Sequence, residues 1–124
     1  MRTARLAFAA ALVAAAIGTV HAADVTGKWT SKFTTQVGEQ EYTFDFIVKG
    51  TSLTGTMKGS MLGESKVEDG KVDGQKFTFT ENAVFMEMPL RLTYACELTS
   101  ADELKCTRTI ADFGTEDLVA KRAK

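Results

Sequence analysis

One short pattern occurs twice in this chain and restricts its fold more than any other feature. Val48 to Thr56 reads VKGTSLTGT, and Val72 to Thr80 reads VDGQKFTFT, so V-x-G-x-x-(L/F)-T-x-T recurs after 24 residues. Upstream of the first copy, Tyr42, Phe44, Phe46 and Val48 place large apolar side chains on alternate positions, the period-2 mark of a half-buried strand. Lys49-Gly50-Thr51-Ser52 then interrupts the alternation with a glycine free to take positive φ, and Leu53 resumes it. The unit is a β-hairpin, repeated through Asp73-Gly74-Gln75-Lys76 and, with a longer loop, between Leu98 and Leu104.

Extending outward from these hairpins predicts eight strands, at about 25–35, 40–49, 52–58, 65–72, 75–85, 88–98, 103–110 and 114–122. No window carries a capped 3.6-residue stripe, so the fold class is all-β. Short strands joined in sequence leave two sheet edges, and closing the sheet removes them. An eight-stranded antiparallel up-and-down (meander) β-barrel is therefore expected ahead of a sandwich, because hairpin connections leave little room for Greek-key crossovers.

Residues 1–22 read differently. Arg2 and Arg5 precede an apolar run from Leu6 to Ile17, and Val20-His21-Ala22 is a small-residue exit. These are the parts of a cleaved signal peptide, leaving residues 23–124 as one domain in the periplasm or outside the cell. The run falls short of the roughly 20 residues a membrane helix needs, so no membrane span is expected after cleavage. Cleavage would remove His21, the sole histidine, and with it Ser-His, Cys-His and His-metal chemistry. Thirteen Lys and Arg would remain against sixteen Asp and Glu, interspersed, with no basic footprint for nucleic acid.

Cys96 and Cys106 are the two cysteines, and in an oxidising compartment they are expected to pair. Centring the third hairpin on Ala101 sets Leu98 opposite Leu104, Cys96 opposite Cys106, Tyr94 opposite Arg108 and Leu92 opposite Ile110. Facing residues of a non-hydrogen-bonded pair come close enough for a disulfide, and all of these point inward in that register.

Gly27-Lys28-Trp29 in the first strand and Arg122 in the last complete the pattern. With the meander, they resemble the calycins, the lipocalin and avidin group of small-ligand-binding barrels. The resemblance implies that Trp29, beside Gly27, closes one end of the barrel and that Arg122 packs over it. The chain is shorter than most lipocalins, which counts against a large cavity.

The candidate ligand-binding residues are Trp29, Tyr94, Arg108, Met86 and Met88. An interior Arg108 must find an acid, a phenol, backbone carbonyls or a bound anion. Met86 and Met88 would continue the inward face of Leu90 and Leu92, and with Met57 and Met61 they would suit a loosely shaped apolar ligand or gap filling. The first function expected is binding of a small apolar or amphipathic ligand with an anionic group at Arg108. The second is a protein partner, as for a barrel-type protease inhibitor, contacted through residues 81–85 or the segment before Val25. The third is a small isomerase or cyclase using Tyr94, Arg108 and a carboxylate, although no carboxylate can be placed against Tyr94 from the sequence. No catalytic residue, cofactor or metal ligand is assigned. Asp112, Glu116 and Asp117 lack calcium-loop spacing.

Overall fold

The computed structural model describes residues 24–111 and 113–123, and the signal-peptide reading lies outside them. The strands are β1 (Gly27–Thr35), β2 (Gly38–Lys49), β3 (Ser52–Gly59), β4 (Gly63–Lys66), β5 (Glu68–Asp73), β6 (Lys76–Phe85), β7 (Met88–Ser100), β8 (Glu103–Ile110) and β9 (Gly114–Arg122). Strands consecutive in sequence pair antiparallel except β4 and β5, and β1 pairs with β9, so the sheet closes into an eight-stranded meander barrel.

The ninth strand arises because the expected strand 65–72 is broken. Its halves β4 and β5 share one place in the wall, and both pair with β3. At the start of β5 the ladder to β6 shifts register between Glu68 and Lys71, and Asp69 takes φ +51°. The extra residue bends the wall, as bulges do where a barrel must curve. Opposite the bend, Gly55 of β3 has φ +142°, and a Cβ there would lie 1.9 Å from the carbonyl oxygen of Asp45. Glycine is what allows β2 and β3 to cross so closely.

Alternation along the longer strands fills the interior. Tyr42, Phe44 and Phe46 stack along β2, Phe77 and Phe79 stack along β6, and the two sets meet edge to face across the barrel. Tyr94 lies flat on Phe79 with ring centroids 4.4 Å apart. Leu92 is paired with Ile110, Tyr94 with Arg108, Cys96 with Cys106 and Leu98 with Leu104, as the hairpin register requires. The cysteines form a disulfide with Cα atoms 4.0 Å apart, which indicates an oxidising compartment.

Candidate functional site

A meander barrel presents its hairpin tips in two sets, and here the sets differ chemically. At one end the tips are Gly50-Thr51, Gly74-Gln75 and Ala101-Asp102, small or polar throughout. Trp29 plugs this end. Its indole Nε1–H donates to the carbonyl of Val25 at 2.8 Å, and the Arg122 guanidinium lies over the ring at 4.3 Å. Arg122 also donates to the carbonyls of Ala101 and Thr26. Gly27, at φ +127°, admits the guanidinium, since a Cβ would stand 3.2 Å from Nη1.

At the other end every tip carries an exposed large apolar side chain: Val37 between β1 and β2, Met61 between β3 and β4, Met86 between β6 and β7, and Phe113 between β8 and β9. Within this ring a cavity of about 130 Å³ opens. Its walls are mostly apolar, including Leu62, Phe85, Leu90, Leu92 and Ile110, and its polar members include Gln40, Arg108 and Glu116.

Below the cavity a row of directly opposed residues crosses four strands: Phe79 on β6, Tyr94 on β7, Arg108 on β8 and Glu116 on β9. Arg108 is 1% exposed and does not reach for solvent. Its Nε and Nη2 donate to Glu116 Oε1 at 2.9 and 2.6 Å, and its Nη1 donates to the Tyr94 hydroxyl at 3.3 Å. The guanidinium also stands over the rings of Phe33 and Tyr42. Each of its three nitrogens thus has a partner within the protein, and the acid and the phenol expected for an interior arginine are both present.

The network continues to Glu81, which is completely buried. Tyr94 donates to Glu81 Oε1 at 2.7 Å, Tyr42 donates to Oε2 at 2.9 Å from across the barrel, and Ser65 donates to Oε2 at 3.4 Å. Burial raises the Glu81 carboxyl above its ordinary range, and the hydrogen bonds from Tyr94 and Tyr42 with the charge of Arg108 offset this only in part. Burial likewise raises the Tyr94 and Tyr42 phenols, reinforced by the neighbouring carboxylate.

Of the five candidate ligand residues, Arg108 lines the cavity, whereas Trp29 closes the opposite end and Tyr94 lies beneath the floor. The inward placement of Met86 and Met88 is corrected: they are 80% and 68% exposed, because β6 and β7 run past the barrel rim and alternation there has no facing wall. The reading of residues 81–85 as a contact loop is also corrected, since they belong to β6 and Glu81 points inward. A carboxylate does converge on Tyr94, contrary to the sequence reading. The alternation Phe77, Phe79, Glu81, Ala83 already put it on the inner face. Glu116 was missed too, although counting the last hairpin outward from Ile110 and Gly114 sets it opposite Arg108. Asp117, next in sequence, faces outward and accepts from the Thr107 hydroxyl.

The closed barrel is compatible with a calycin-like fold. Comparison with protein-family models, with curated proteins and with solved structures finds no match to this chain.

Proposed function

We propose that this protein is a secreted or periplasmic barrel that binds a small apolar ligand at its open end, a calycin-like binding module. The observation that carries the reading is the apolar cavity of about 130 Å³ ringed by Val37, Met61 and Phe113. An apolar concavity with a few convergent polar groups is the usual form of a small-molecule site. At the opposite end Trp29 and Arg122 cover the barrel, and no such entrance is found there among the described residues. The signal-peptide pattern of residues 1–22 and the disulfide support export. An anionic group on the ligand is not part of the proposal, because Glu116 and Tyr94 already serve Arg108. Catalysis is not proposed either: Glu81 and Tyr94 lie below the cavity rather than on its lining.

Titration of isotope-labelled protein with toluene, followed by NMR, tests the reading. Shifts should concentrate at Leu90, Leu92 and Ile110 and spare Trp29. Absence of shifts up to the solubility of toluene would leave the cavity without a binding role. Exposure of Val37, Met61, Met86 and Phe113 on adjacent tips favours a second reading, contact with a protein partner. Met86 stands on a tip and outside the cavity lining, so Met86→Ser separates the two. It would leave toluene binding unchanged and weaken a partner.

A further inference from the structure

One buried hydrogen-bond acceptor at the cavity is left without a partner among the described residues. Gln40 lines the cavity and is 4% exposed. Its Nε2 donates to Thr35 Oγ1 at 3.1 Å. The Thr35 hydroxyl spends its own proton on the Gly38 carbonyl at 2.9 Å and accepts from the Val37 amide at 3.2 Å. Thr35 therefore has no proton to give Gln40, which sets the amide with Nε2 toward Thr35 and Oε1 away from it. Oε1 is the buried side-chain polar atom that finds no partner among the described residues. Such an acceptor, dehydrated and unmatched, is costly to keep unless something else supplies a donor.

No neighbouring side chain among the described residues directs a donor at this oxygen. Arg108 gives its hydrogen bonds to Glu116 and Tyr94, and Gln36 Nε2 donates to the Phe113 carbonyl at 3.4 Å. Glu116 uses Oε1 for Arg108, and no bond to its Oε2 is found among the described residues. Gln40 Oε1 and Glu116 Oε2 are thus acceptors without a partner among the described residues on the polar side of the cavity. Its size suits one ring, since an apolar cavity of about 150 Å³ takes up benzene.

Building on the binding reading above, we propose that the open-end cavity takes a small apolar molecule bearing a hydrogen-bond donor, an alcohol or an amine, whose entry uncovers Gln40 Oε1 and directs an O–H or N–H at it. A bound carboxylate would meet the lone pairs of Gln40 and Glu116 and is disfavoured.

The test is an NMR titration of the wild type, Gln40→Leu and Glu116→Gln with four probes of similar size: toluene, benzyl alcohol, benzylamine and benzoate. In the wild type, benzyl alcohol and benzylamine should bind about tenfold more tightly than toluene, the equivalent of about 1.4 kcal/mol. Benzoate should be the weakest. Gln40→Leu should bring the alcohol and the amine to the affinity of toluene while keeping toluene binding, which also shows that the variant is folded. Equal affinities of toluene and benzyl alcohol in the wild type would overturn the donor inference and leave the cavity reading standing. So would an advantage that survives Gln40→Leu, tightest binding by benzoate, or an advantage confined to benzylamine and lost in Glu116→Gln. If none of the probes binds at the open end, the binding reading itself falls.

Discussion

Arg108 joins what the cavity shows to what the core hides. Its guanidinium holds Glu116 above and the Tyr94 hydroxyl below, and among the described residues neither partner has another cation in its hydrogen bonds. Arg108→Met would strand a largely buried carboxylate, and the expected loss is about 3 kcal/mol of stability, read from the urea midpoint. Adding Glu116→Gln should restore part of it, since the pair is coupled; a purely additive double variant would deny the coupling. Glu81 behaves differently because burial raises its pKa above the ordinary 4.5. The folded state then holds the proton more tightly than the unfolded chain does. The stability from this group is complete below pH 4.5, and it is lost as pH rises through the raised folded value. Melting temperatures across that window should fall with rising pH for the wild type, and the slope should flatten in Glu81→Gln. Identical slopes would mean that Glu81 titrates alike in both states. At this scale the sequence was partly legible: parity put Tyr94, Arg108 and Glu81 inside, but nothing local said which of them would touch.

Among the hairpins, that between β6 and β7 departs from the usual chemistry. Met86 and Glu87 form its two-residue tip with φ of +52° and +66°, the left-handed pair of a type I′ turn that asparagine and glycine favour. Side chains with a Cβ carry strain in that region. Replacing the pair by Asn-Gly should stabilise the protein by about 1 kcal/mol in chemical denaturation. No gain would show that contacts of Met86 or Glu87 compensate for the strain. The tip also explains why the methionines misled. Alternation identifies an inner face only while a facing wall exists, and at the rim the same parity points into solvent. The interruption at Val67 was hidden for a related reason, since a bulge needed to bend a wall answers to barrel curvature rather than to residues beside it.

The whole molecule is closed by a short seam. β1 and β9 pair through Trp29↔Arg122, Thr30↔Lys121 and Ser31↔Ala120, and the ladder ends there, toward the open end. The seam-facing amides of Phe33 to Thr35 and of Glu116 to Leu118 should exchange with solvent at least about tenfold faster than those between β6 and β7 in native-state hydrogen exchange. Equal protection would mean that the seam stays shut in solution. The sequence by itself determined the all-β class, the meander, the inward face of nearly every strand, and the pairing of Cys96 with Cys106 and of Tyr94 with Arg108. Those depend on a period of two and on short turns, which set the register of adjacent strands. Tertiary structure alone decided that Tyr42 reaches Glu81 across the interior, that β1 meets β9 over so short a length, and that a cavity with an unmatched Gln40 opens at the apolar end. These depend on the diameter and stagger of a closed sheet, which bring together residues that no hairpin connects.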